Sequence, residues 1–115
     1  METTQAVQAL SALAQETRLG IFRLLVQAGP EGMAAGQIGE KLDLAPATLS
    51  FHLAGLTRSG LARSRQDGRF VIYSADFQAM TALVGYLSEN CCGGRACAPS
   101  TGDQDEKIPR TRRRA

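Results

Sequence analysis

Apolar positions in this chain recur at two spacings, and the change from one to the other divides it into elements. Val7, Leu10 and Ala14 fall on one face of a helix that starts with Thr3 or Thr4 as its cap and runs to about Ala14. A second helix begins at Glu16-Thr17, with Ile21, Leu24, Leu25 and Ala28 at helical spacing. Gly29-Pro30 stops it, since Gly suits a helix end and Pro cannot continue one. From about Ala34 a short third helix pairs Ile38 with Leu42. Asp43-Leu44-Ala45 is the turn after it, and Pro46 suits the first position of a fourth helix, whose buried stripe is Leu49, Leu53 and Leu56.

Past Gly60 the spacing becomes alternation. Leu61–Arg65 and 70–74 predict two strands joined through Gln66-Asp67-Gly68-Arg69, and Asp-Gly is a strong hairpin signal. Asp76 then caps a last helix carrying Phe77, Met80, Leu83, Val84 and Leu87 on its apolar face, running into Asn90. From Ala98 onward Pro, Ser, Thr, Gly and charge dominate, the composition of a disordered basic tail over 98–115. The rest, 1–97, is expected to be one domain. This order describes a mainly α fold, a winged helix-turn-helix with a two-stranded β-hairpin wing. Its first and last helices carry more apolar face than so small a unit can bury, which predicts a homodimer through those two helices.

Charge sharpens the reading. The net charge is only +2, yet between Ala45 and Ala75 the charged residues are Arg58, Arg63, Arg65 and Arg69 against Asp67. A local basic patch of this kind suits phosphates. Opposite the Leu stripe of the fourth helix lie Ala47, Ser50, Phe51, Ala54 and Arg58, with Thr48 at the edge. Small side chains let a helix approach base edges, Ser and Thr bond several bases, and Phe can press on thymine methyls. Ala47, Thr48, Ser50 and Phe51 are therefore the expected readers in a major groove. Arg58 and the wing residues Arg63, Arg65 and Arg69 are the expected phosphate contacts. A protein-binding scaffold would use the same helix and hairpin without these charges. His52 beside the Leu stripe reads as a packed or capping residue.

All three cysteines, Cys91, Cys92 and Cys97, lie within seven residues just past the last helix. No basic n-region with an apolar stretch opens the chain, and no run reaches the roughly 18 apolar residues of a membrane span. A cytoplasmic protein with no membrane partner is expected. In a reducing compartment, clustered thiols bind soft ions or do redox work more often than they form structural bridges. Three nearby thiols without a nearby His suit trivalent arsenic or antimony, which take three sulfurs in a pyramid, better than zinc, which wants four ligands. If Cys91 and Cys92 were both helical they would point about 100° apart, so the helix must end for them to converge. Gly93-Gly94 gives the freedom for Cys97 to fold back. The same cysteines also suit a redox or persulfide sensor. An enzyme is not expected, since a Cys-x-x-Cys and a thioredoxin-like strand order are both missing.

The segments 12–21 (Ala-Leu-Ala-Gln-Glu-Thr-Arg-Leu-Gly-Ile), 48–53 (Thr-Leu-Ser-Phe-His-Leu) and 56–61 (Leu-Thr-Arg-Ser-Gly-Leu), with Asp67-Gly68-Arg69 and Tyr73, resemble the ArsR/SmtB family of metal-responsive repressors. The resemblance covers roughly residues 8–92. It implies a dimeric, operator-binding repressor of double-stranded DNA that lets go when an inducer arrives. Two departures stand out. The Cys-x-Cys that arsenic-responsive members carry in the first helix of the helix-turn-helix is missing from 33–44, and the last helix lacks the His of zinc-responsive members. What remains looks like the branch that holds arsenite on a local cysteine trio. As(III) or Sb(III) at Cys91, Cys92 and Cys97 is thus the expected inducer, with no organic cofactor.

Overall fold

The computed structural model describes residues 1–95; the expectations for Cys97 and for the 98–115 tail lie outside them. Five helices and three strands follow in the order α1 (Thr3–Leu13), α2 (Glu16–Ala28), β1 (Met33–Ala34), α3 (Ala35–Leu42), α4 (Pro46–Arg58), β2 (Ala62–Asp67), β3 (Phe70–Ala75) and α5 (Phe77–Leu87). A 3₁₀ turn, Cys91–Gly94, comes last. The winged helix-turn-helix is formed as its periodicity requires. Ile21 and Leu25 of α2, Ile38 of α3, and Leu49, Leu53 and Leu56 of α4 meet in one core. Fully burying each such side chain stabilises by roughly 1.5–3 kcal/mol. Among the described residues no helix is long and apolar enough to cross a membrane.

The ends of the helices follow local chemistry. The Gln15 side chain accepts from Arg18 N at 2.8 Å and caps α2. Asp76 Oδ1 accepts from Ala79 N at 3.0 Å and caps α5. Pro46 sits in the first turn of α4. Gly29 closes α2 with φ 81°, a conformation that costs an L side chain dearly.

Several expectations need correction. The cap of α1 is Glu2 rather than Thr3 or Thr4, and its core face is Ala6 and Ala9, not Val7 and Leu10, which stand 54% and 41% exposed. Alanines there let α1 approach closely, and a hydrophobicity pattern cannot weigh that against larger side chains turned outward. The hairpin is longer than expected. Asp67 pairs with Phe70, leaving Gly68-Arg69 as a two-residue turn with positive φ at Gly68, the pattern of a type II′ turn. The wing also gains a third strand, since β1 pairs with β3 through Met33↔Tyr73 and Ala34↔Ile72, in the order β1-β3-β2. Gly32 makes this possible: its φ is 76°, and a Cβ there would collide with the Tyr73 carbonyl. Finally, α5 ends at Leu87, short of Asn90. Of its apolar face only Leu83 is buried, while Val84 and Leu87 are about 60% exposed.

Candidate nucleic-acid interface and thiol segment

Helix α4 presents two unlike faces. Leu49, Leu53 and Leu56 point into the core, while Ala47, Thr48, Ser50, Phe51, Ala54 and Arg58 are all exposed. Phe51 is 64% exposed, a large apolar surface left in water on the face that a helix-turn-helix turns toward DNA. Its ring meets the His52 ring edge-on, with centroids 5.3 Å apart. Helix α3 packs closely behind α4 because Gly39 has no side chain; a Cβ there would lie 3.3 Å from the Leu44 carbonyl oxygen and 3.4 Å from Leu49. Asp43 makes the turn between them at φ 55°.

The orientation of α4 is fixed from behind by one arginine that sequence reasoning passed over. Arg18 of α2 donates from Nε to the Ala12 carbonyl at 2.7 Å, and its NH1 lies 3.3 Å from His52 Nδ1. Guanidinium only donates, so Nδ1 is the acceptor in this contact. His52 is thus the packed residue expected, 8% exposed, joining α4 to the end of α1 through Arg18. The signal available in the sequence was weak: one Arg and one His 34 residues apart.

The four arginines have different surroundings. Arg58 lies at the end of α4 beside α1. Arg63 pairs with Asp76 at 3.2 Å, and Arg65 NH2 donates to the Glu31 carbonyl at 2.9 Å, so both brace the base of the wing. Arg69 is at the hairpin tip, with no hydrogen bond or ion pair among the described residues. The Asp76 carboxyl is held below its ordinary range, first by the Ala79 N–H and then by Arg63, against the opposing effect of burial.

Beyond α5 the chain turns sharply. Asn90 and Cys92 both take left-handed conformations, φ 57°. The helix has ended before the cysteines, and Cys91 Sγ and Cys92 Sγ come to 3.7 Å. Both are exposed. Among the described residues no three His, Cys, Asp or Glu side chains gather to hold an ion. A third donor from this segment would have to be Cys97.

A sequence family described as a helix-turn-helix domain matches residues 13–65. The transcriptional activator HlyU of Vibrio cholerae is 31% identical over 90 residues, 78% of this chain and 81% of HlyU. The arsenical resistance operon repressor of Escherichia coli is 39% identical over 67 residues, 58% of this chain and 56% of the repressor. The chain belongs to the ArsR family of transcriptional regulators. Among solved structures, HlyU superposes with a TM-score of 0.62 at 30% identity, covering 80% of this chain and 99% of that one. HlyU has also been solved in a form described as reduced, with a TM-score of 0.61 at 30% identity, covering 78% of this chain and 92% of that one. The homodimeric winged helix-turn-helix DNA-binding domain Mb0332 of Mycobacterium bovis, described as a possible ArsR-family regulator, gives 0.60 at 25% identity. That match covers 84% of this chain and 89% of Mb0332. As an ArsR-family chain, this protein is a DNA-binding transcriptional regulator.

Proposed function

We propose that this regulator is a homodimeric repressor that leaves its operator when trivalent arsenic or antimony is held by Cys91, Cys92 and Cys97. The observation that carries the reading is the 3.7 Å approach of the Cys91 and Cys92 sulfurs. Two thiolates on one soft ion, each at about 2.3 Å, are at most about 4.6 Å apart, so this pair fits without rearrangement. The ion would supply a bridge between sulfurs. An arsenical repressor among the relatives supports that choice of inducer. The dimer reading rests on exposed Val7, Leu10, Val84 and Leu87 on α1 and α5, and on the homodimeric Mb0332.

Coupling to DNA follows from what the chain's own residues touch. Tyr86, in the last turn of α5, shares a hydrogen bond with Thr3 of α1, and the far end of α1 reaches α4 through Ala12, Arg18 and His52. Gathering the segment after Asn90 pulls on the end of α5, and so on α1 and the spacing of the two recognition helices. Allosteric coupling is typically about 1–3 kcal/mol per site, and two sites in a dimer double it.

A second reading uses the same thiols as a redox or persulfide sensor, favoured by the reduced form in which HlyU is known. One titration separates the two. Release from a duplex selected out of a randomised pool is followed against arsenite, antimonite, cadmium, zinc and peroxide, for the wild type and each Cys→Ser variant. Release by arsenite or antimonite that is lost in all three variants is the expected result. Release by peroxide alone selects the redox reading, and an undiminished arsenite response in all three variants removes the thiol site.

A further inference from the structure

Between α1 and the C-terminal half of α4 lies an open cleft of about 440 Å³, lined by Val7, Gln8, Ser11 and Ala12 on one wall and Gly55, Arg58 and Ser59 on the other, with Arg18 at its back. Two guanidiniums and three neutral hydrogen-bonding side chains face it, and no carboxylate does. We propose that this cleft binds a phosphodiester of the DNA backbone, so that α1 is part of the DNA-binding surface. The proposal rests on the DNA-binding reading of α4 and extends it.

Two features shape the cleft as a site. Arg18 is pinned by Ala12 and His52 through Nε and NH1, which leaves NH2 without a hydrogen bond among the described residues. Its side chain lies along Gly55, where a Cβ would make only ordinary contact, 3.4 Å from Arg18 Cδ and 3.8 Å from NH1. The end of a helix ordinarily repels an anion through its unpaired carbonyls, but here those of Gly55, Leu56 and Thr57 are occupied. Gly55 O accepts from Ser59 N, Thr57 O from Gly60 N, and Leu56 O from both Leu61 N and Ser59 Oγ. These bonds reduce that repulsion, and the two guanidiniums supply the positive charge of the cleft.

Geometry selects backbone phosphate as the ligand. Thr48, Phe51, Gly55 and Arg58 follow one another at three- and four-residue steps, so the cleft continues the exposed stripe of the recognition helix. Arg58 is about 10 Å along the axis from Phe51 at a rise of about 1.5 Å per residue. A recognition helix lies along the major groove with its N-terminal residues on base edges, so Arg58, at the C-terminal end of α4, is displaced from the bases toward the flanking backbone.

The test uses the full chain and a duplex selected by the wild-type protein from a randomised pool, with binding measured over a range of salt. Gln8→Glu and Ser11→Asp, at exposed α1 positions and with the dimer verified by sedimentation because Val7 and Leu10 lie on the same helix, are expected to weaken every duplex about tenfold through like-charge repulsion, with sequence preference unchanged. Arg58→Ala is expected to lower the slope of log affinity against log salt by about one. Gln27→Glu on α2 makes the same charge change away from the cleft and is expected to bind like the wild type. If Gln8→Glu and Ser11→Asp also bind like the wild type, the proposal fails, even though the wild type binds DNA. If they do so while inorganic phosphate, titrated at constant ionic strength, binds tightly and shifts the NMR signals of Ser11 and Ser59, the cleft serves a small phosphorylated effector instead. A wild type that selects no duplex at all would overturn the DNA-binding reading itself.

Discussion

Replacing His52 by Leu removes the acceptor of Arg18 NH1 while keeping the volume behind Phe51 nearly constant. A hydrogen bond to a charged group contributes roughly 1.5–3 kcal/mol when its donor is left unpaired. Arg18 is only half-buried and lines an open cleft, so NH1 regains water and the lower end of that range applies. About 1.5 kcal/mol is expected, a fall in Tm of roughly 6–12 °C for a domain of this size. Urea and thermal unfolding at one fixed protein concentration measure it, since a dimer's stability depends on concentration. The single change also alters packing, so the pair is isolated by a cycle with Arg18→Met and the double variant. A coupling of about 1–2 kcal/mol is expected. Additive effects of the two changes, within about 0.5 kcal/mol, would show that His52 is merely filler and that α4 is oriented by its leucines alone.

Gly32→Ala forces a side chain against the Tyr73 carbonyl at a positive φ; a loss of about 2 kcal/mol or more is expected, read by denaturant unfolding. Asp76→Ala removes the α5 cap and the Arg63 partner, expected to cost about 1 kcal/mol. Because the folded Asp76 pKa is depressed, that stability is present above the unfolded value near 3.9 and disappears as pH falls through the folded value. The wild type and variant should therefore converge in acid melts and separate near neutrality. Ser50→Ala and Phe51→Ala are expected to change which operator is preferred in a randomised-pool selection, while Arg69→Ala weakens all duplexes about equally with Tm unchanged.

Where burial alone decides an element, the sequence was enough to find it. Ile21 and Leu25, Ile38, and Leu49, Leu53 and Leu56 lie at helical spacing, and all six are in the core. The exposed face of α4 follows from the same arithmetic. Strand β1 was missed because two residues carry no periodicity; it exists through the φ of Gly32 and the carbonyl of Tyr73, a contact 41 positions away. The face of α1 was misjudged for a related reason. Ala6 and Ala9 gain from close approach, which depends on what lies opposite. At the site, proximity in sequence revealed the thiols, whereas the basic residues were legible as charge and not as places. Arg63 and Arg65 became braces because Asp76 and the Glu31 carbonyl happen to face them. The Arg18–His52 link and the α1–α4 cleft join segments far apart in the chain, and no local pattern encodes either.

Strand β1 passes into α3 without an intervening loop, Ala34 ending one and Ala35 beginning the other. The edge of the wing is therefore also the mounting of the helix-turn-helix. Length can be added to this protein at the Gly68-Arg69 tip, where extra residues would extend a hairpin into solvent, and the operator reach of the wing can diverge there freely. An insertion between Gly32 and Ala35 has no such outlet: it would shift the strand register and rotate the reading head together. Tolerance to insertion is thus divided within a single three-stranded sheet, open at the tip and closed at the hinge.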